Sequence, residues 1–161
     1  MSDKQQDEIK DSITPTRVQK MQLKLLEKKS HKGTDIQSFK FSRGNVADDK
    51  SQSQNFRYKA GQYAMVDLET KDDPEGPMRS FTLASSPTEE NFIMISTRIR
   101  DTLFKKKLTN LDVGASVDIT APLGNFTLHE DSSKPAVLLS GGIGVTPFRS
   151  MINILQMPSY H

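Results

Sequence analysis

Four consecutive residues, Arg79-Ser80-Phe81-Thr82, set a permanent cation, two hydroxyls and an aromatic ring side by side. Phe81, Thr82 and Leu83 favour a pleated, half-buried backbone, and Ser85-Ser86-Pro87 closes the stretch with a turn signal. On a strand, Arg79 and Phe81 project to one face because side chains alternate with period two. The guanidinium presents a planar fork of donors suited to a phosphate or diphosphate, and Phe81 a flat apolar surface on which a second ring can stack. Thr82 belongs to the opposite face, so it reaches the same ligand only where the strand bends or ends. A ligand carrying both a diphosphate and a planar heterocycle satisfies the whole set. An edge strand with a surface arginine and a core phenylalanine accounts for the same four residues without any ligand.

A second chemical signal lies near the C-terminus. Pro135-Ala136-Val137-Leu138-Leu139-Ser140 is a continuous apolar run, the pattern of a strand buried on both faces. It leads into Gly141-Gly142-Ile143-Gly144-Val145-Thr146-Pro147, where Thr146 is expected to cap a helix and Pro147 to be its first residue. That helix is expected to run through Met151, Ile152 and Leu155 and stop before Pro158. A strand, a glycine loop and a helix N-terminus together suit a phosphate, because glycines let the backbone approach and free N–H groups favour an anion. The dinucleotide fingerprint is incomplete: Pro147 stands where its third glycine would fall, and no chain remains for the acidic ribose partner about 20 positions later. A tight structural turn is the alternative.

The elements that would position these groups are short. Residues 17–29 alternate at Leu23 and Leu25 as a strand, with a helix as the competing reading, and Ile36 to Phe41 alternates as the next strand. Tyr63 to Leu68 follows the turn Lys59-Ala60-Gly61-Gln62, and residues 71–77 are dense in turn formers. Asn91 to Arg100 places Ile93, Ile95, Thr97 and Ile99 on one face and carries Arg98 and Arg100 at its basic end. Asp101 or Thr102 caps a short helix with Leu103, Phe104, Leu108 and Leu111 on one side and Lys105 to Lys107 nearby. Ser116 to Ala121 is a strand, followed by the turn at residues 122–125 and the short apolar Phe126-Thr127-Leu128. Short strands joined by turns, with one late helix, predict an all-β-dominated, six-stranded antiparallel Greek-key barrel with one capping helix. The first strand and helix of a Rossmann-like α/β unit are expected after it. The expected division is a disordered segment over 1–14, a barrel over 15–131 and the start of a second domain over 134–161.

Composition narrows the function. A net charge of +2 gives no bulk argument for nucleic acid, and the run Lys105–Lys107 reads as a solvated helix face in the absence of an aromatic platform. The chain has no cysteine, which excludes disulfides, thiolate metal sites and a cysteine-bound iron–sulfur cluster within it. His31, His129 and His161 make no ligand spacing and are expected to be exposed. No apolar run approaches transmembrane length and the first residues carry no apolar signal region, so a cytoplasmic location is expected.

Taken in order, the two signals resemble the ferredoxin–NADP reductase superfamily of flavoproteins. Its Arg-x-Tyr-Ser/Thr motif is similar to Arg79-Ser80-Phe81-Thr82, with phenylalanine for tyrosine. The resemblance extends through Lys59 to Tyr63, through Ala121 to Phe126 and through the glycine loop, covering roughly residues 17–155. It implies a six-stranded barrel that binds FAD and a Rossmann-like domain that binds NAD(P)H. It further implies that Arg79 and Ser80 contact FAD, with Arg79 on the pyrophosphate, that Phe81 packs on the isoalloxazine and that Thr82 approaches flavin N5. Arg98 joins the FAD-binding set, Thr102 or Lys105 stands in for the family's missing Gly-x-x-Ser, and residues Gly141, Gly142, Ile143, Gly144, Val145 and Thr146 cradle the nicotinamide cofactor's diphosphate. The 21 residues after Ser140 are fewer than the about 30 that one βαβ unit requires, so the second domain is expected to be truncated.

The resemblance therefore implies an FAD-dependent oxidoreductase that passes electrons from NAD(P)H to a ferredoxin-like or other acceptor. A non-catalytic flavin-binding subunit, whose second domain a partner completes, is the competing expectation.

Overall fold

Alternating burial decides the first strand. In the computed structural model, which describes residues 17–44, 56–131 and 133–156, β1 (Gln19–Ser30) turns Met21, Leu23 and Leu25 inward and Lys20, Gln22 and Lys24 outward. A period of two cannot be helical, so the competing helix is excluded. β2 (Ile36–Ser42), β3 (Tyr63–Asp67), β4 (Met78–Thr82), β5 (Phe92–Arg98) and β6 (Ser116–Leu123) follow. They form one sheet in the order β4-β3-β6-β1-β2-β5, and its paired strands run antiparallel. The chain leaving β4 hydrogen-bonds to β5, the far edge strand, through Ala84 N–H to the Met94 carbonyl at 2.7 Å. That link brings the two edges together into the expected nearly closed barrel. Leu23, Leu25, Phe39, Phe41, Ile93 and Ile95 are fully buried within it, each contributing about 2 kcal/mol of burial. The expected N-terminal segment 1–14 lies outside the described residues.

Helix α1 (Leu103–Asn110) begins at Thr102, whose hydroxyl accepts from Lys105 N at 3.2 Å, so Thr102 and not Asp101 is the cap. Phe104 and Leu108 plug the barrel, while Leu103, expected with them, faces solvent. Phe126 to Leu128 joins no ladder, because the chain turns again there with Thr127 N–H on the Asn125 carbonyl. Residues 135–140 form no ladder either: a strand buried on both faces requires neighbours, and Val137 and Leu139 are instead 81% and 84% exposed.

The glycines form a 3-10 turn (Gly142–Val145) that runs straight into α2 (Thr146–Leu155). Thr146 is not the cap, because it is already helical and its Oγ1 donates to the Ile143 carbonyl at 3.1 Å. Helix α2 is tied to the barrel by polar groups. Ser150 Oγ donates to the Ser85 carbonyl at 2.6 Å, and Arg149 Nη1 donates to the Ala84 carbonyl at 2.6 Å. Arg149 also grips Glu89 through both oxygens, at 2.9 and 3.0 Å. Tyr58 completes the group with a 2.8 Å hydrogen bond to Ser85 Oγ, and burial pushes its phenol up to about 12.

The Arg149 hydrogen bonds hold the Glu89 carboxyl below its ordinary 4.5, against the upward push of burial. A carboxyl depressed by folding stabilises the fold above its ordinary pKa, and that contribution is lost as pH falls through the folded value. Urea melts at descending pH should therefore show wild type losing stability below about pH 4.5 more steeply than Glu89→Gln. Equal slopes would mean the clamp contributes nothing.

Candidate functional site

Directly opposed residues of a ladder share a face, and the β3–β4 register pairs Ala64 with Phe81 and Val66 with Arg79. Ala64 and Val66 are fully buried, so Arg79 and Phe81 point together into the barrel end, as alternation requires. Ser80 and Thr82 pair with Met65 and Tyr63 on the outer face. Thr82 is the last residue of β4, the position from which it could turn toward a ligand at the barrel end.

Arg79 is engaged by its own preceding turn. Its Nη1 donates to the carbonyls of Glu75, Gly76 and Met78 at 3.0, 2.7 and 2.9 Å. Its Nη2 pairs with Asp73 Oδ1 at 2.6 Å and Glu75 Oε2 at 3.0 Å. The guanidinium lies 5.2 Å from the centroid of the Phe104 ring. Phe81 is 8% exposed and packs 5.9 Å from Phe104. The Lys105 ammonium lies over the ring, 4.3 Å from its centroid. The ring read from the sequence as a stacking surface is thus buried against Phe104 and Lys105.

Lys105 is the unusual cation here. Its Nζ donates to Thr97 Oγ1 at 2.6 Å, and among the described residues no carboxylate pairs with it. Burial chiefly, then the charges of Arg79 and Arg100, pull its amine down to about 8. The Glu75 carboxylate opposes that pull only weakly, so the ammonium stays poorly compensated. Thr102, one turn earlier, contributes the cap that fixes this end of α1.

Arg98 stands elsewhere. It follows Thr97 on the other face of β5, lies 3.9 Å from Asp35, and places Nη2 3.0 Å from where a Cβ of Gly142 would be. The structure thus joins Arg98 to the glycine turn and not to Arg79 and Phe81. Gly141, Gly142, Gly144 and Val145 of that turn are exposed, with Ile143 half-buried and Thr146 buried. Gly144 N–H bonds back to the Gly141 carbonyl at 3.1 Å.

The sequence does not point to Asp73, Thr97 or Phe104 as site residues. Asp73 is legible there only as a turn former, and its bond to Phe104 N spans 31 positions, beyond any local pattern. His31 and His129 are exposed, as expected of loop histidines, and His161 lies outside the described residues. Among the described residues no helix is long and apolar enough to cross a membrane.

Known proteins share this fold. The profile of the oxidoreductase FAD-binding domain matches residues 22–128. A flavohemoprotein from Halalkalibacterium halodurans is 30% identical over 140 residues, covering 82% of this chain and 32% of its own length. The reductase subunit of a glycine betaine monooxygenase from Chromohalobacter salexigens is 37% identical over 98 residues, covering 60% of this chain and 26% of its own. Among solved structures, a cytochrome P450 reductase from Amycolatopsis superposes with a TM-score of 0.67 at 22% identity, covering 86% of this chain and 39% of that one. A ferredoxin–NADP+ reductase from Plasmodium falciparum gives 0.67 at 15% identity, covering 85% and 52%. The chain thus spans about a third or less of these curated relatives. With the profile covering most of the barrel and the fold shared with the ferredoxin–NADP reductase type, the chain belongs to the oxidoreductase FAD-binding domain family.

Proposed function

We propose that this chain is the FAD-holding barrel of a cytoplasmic NAD(P)H-dependent flavoprotein reductase that feeds a ferredoxin-like or other acceptor protein. The observation that carries this reading is Lys105: a half-buried ammonium in no ion pair among the described residues, lying on an aromatic ring beside Arg79. The donor set fits a flavin dinucleotide. Arg79, Lys105 and the first turn of α1 behind Thr102 would hold the diphosphate, and Phe81 would carry the isoalloxazine once Lys105 has moved to the phosphates. Ser80 and Thr82 line the outer side of β4, with Thr82 assigned to the flavin's reacting edge. Arg98 and residues 141–146 would take the diphosphate of the nicotinamide cofactor. Bound FAD supplies the exchange between a hydride donor and a one-electron acceptor. The residues around it bind, orient and exclude water.

The test is the absorbance spectrum of the purified chain, alone and after incubation with FAD. A yellow protein is expected, with the affinity for FAD reduced about tenfold in Lys105→Met, the equivalent of one charge-assisted contact. A colourless chain that takes up no FAD would end this reading. Lys105 also has a pH signature. Its folded value lies below its ordinary 10.5, so the unfolded chain binds more protons between about pH 8 and 10.5, and stability should rise across that window. Lys105→Met should abolish the rise.

One observation favours a second reading, a subunit whose nucleotide domain a partner supplies. Residues 135–140 expose Val137 and Leu139 and form no ladder. Under that reading the chain alone oxidises NAD(P)H slowly and recovers on addition of the partner; full dye reduction by the isolated chain excludes it.

A further inference from the structure

The turn before β4 holds a buried carboxylate where two phosphate-recognising groups converge. Asp73 is 5% exposed. Its Oδ1 accepts from Arg79 Nη2 at 2.6 Å and from Glu75 N at 3.0 Å. Its Oδ2 accepts from Phe104 N, in the first turn of α1, at 2.9 Å. A guanidinium and a free amide at a helix N-terminus are the donors a diphosphate oxygen would use, and a side chain of the protein holds both. Burial pushes the Asp73 carboxyl up, but the amides of Glu75 and Phe104 and the Arg79 guanidinium outweigh it and hold it below the usual range. It therefore stays an anion at neutral pH.

The geometry points to Asp73 as an internal stand-in for the ligand's diphosphate, satisfying Arg79 and α1 in the free chain and giving both up when the diphosphate binds. This rests on the assignment of the FAD diphosphate to Arg79 and α1. Asp73 is not needed to aim the arginine, because three backbone carbonyls and Glu75 hold the guanidinium independently. The turn is also placed to yield, since Asp72, Pro74 and Glu75 around the buried Asp73 are exposed. Binding then exchanges one anion for another, and the carboxylate both competes for the donors and repels the incoming charge. Asp73 sets the affinity of the site without touching the chemistry.

The experiment is calorimetric titration of FAD and of inorganic pyrophosphate into the wild-type chain and Asp73→Asn, each first stripped of any flavin it carries. Asparagine keeps the shape and removes the charge. Asp73→Asn is expected to melt at a lower temperature without ligand yet to bind both probes about tenfold more tightly. A merely structural role would move stability and affinity down together. If wild type binds FAD and Asp73→Asn binds it equally or more weakly, the exchange is wrong while the FAD assignment stands. If neither chain binds FAD or pyrophosphate, the seat itself is wrong and the exchange falls with it. Should Asp73→Asn fail to fold, nuclear magnetic resonance of wild type decides. Pyrophosphate is expected to shift the Asp73 carboxyl carbon and the Phe104 amide together. Saturation with both unmoved would overturn the exchange.

Discussion

The Arg79→Ala chain, purified in excess FAD, is expected to retain less than roughly one-tenth of the flavin held by wild type, because the planar fork assigned to the diphosphate is removed. It is also expected to melt about 5 °C lower, since truncating one partner of a buried pair leaves the other uncompensated. The second effect follows from where the arginine sits. Its side chain is 17% exposed and that of Asp73 2% exposed, so the pair is part of the turn that shapes the barrel end. A loss of flavin in Arg79→Ala alone would therefore be ambiguous between a missing contact and a distorted site. The double variant Arg79→Ala with Asp73→Asn separates the two. Neutralising Asp73 removes the uncompensated anion, so the double variant should recover much of the melting temperature while still failing to hold flavin. Arg79→Lys keeps the charge but loses the fork, and its retention should fall between the two. If Arg79→Ala keeps its flavin, the diphosphate is anchored elsewhere and the assignment of this site to β4 is wrong.

The features legible in the amino-acid sequence are the short-range ones. Arg79 and Phe81 share a face because alternation leaves no choice, and the cap of α1 is legible to within one residue, Asp101 or Thr102, because a side-chain oxygen ahead of an apolar-periodic segment satisfies its amides. Which face of β4 is the inner one is not legible, since a half-buried strand with an arginine and a phenylalanine on one side can be turned either way. Tertiary closure decides it through Ala64 and Val66. Lys105 departs from its sequence pattern for a related reason. Three consecutive lysines look like a solvated helix face, and Lys106 and Lys107 behave so. A helix turns 100° per residue, however, and the same turn that puts Phe104 in the core brings Lys105 over the Phe81 ring. The apolar run 135–140 departs for the opposite reason: its composition reports a tendency to burial, while a ladder also needs neighbouring strands.

Gly61→Ala should be the most damaging single-methyl change in the barrel, costing about 3 kcal/mol of stability in urea or thermal melts. Gly61 adopts φ +98°, and a Cβ there would lie 2.0 Å from the Phe126 carbonyl oxygen and 2.5 Å from Met151 Cε. The methionine is flexible and can move, but the carbonyl is backbone and cannot without dragging the turn at residues 124–127. Gly114→Ala is the internal control. Its φ is +95°, but nothing lies within 4 Å of the added methyl, so it carries the backbone cost alone, about 1 kcal/mol. The difference between the two variants measures the close approach itself. The site should feel it as well, because Gln62, next in the chain, accepts Leu83 N–H at 2.9 Å through its carbonyl and donates its Nε2 to the Gly124 carbonyl at 2.9 Å. Pushing Gly61 away from Phe126 therefore displaces the end of β4, where Thr82 sits, and loosens the seam with α2 through Met151. Flavin retention should fall with stability in Gly61→Ala and be unchanged in Gly114→Ala. Equal losses in the two variants would show that the tight passage between the Lys59–Gln62 turn and Phe126 does not hold the β4 end in place.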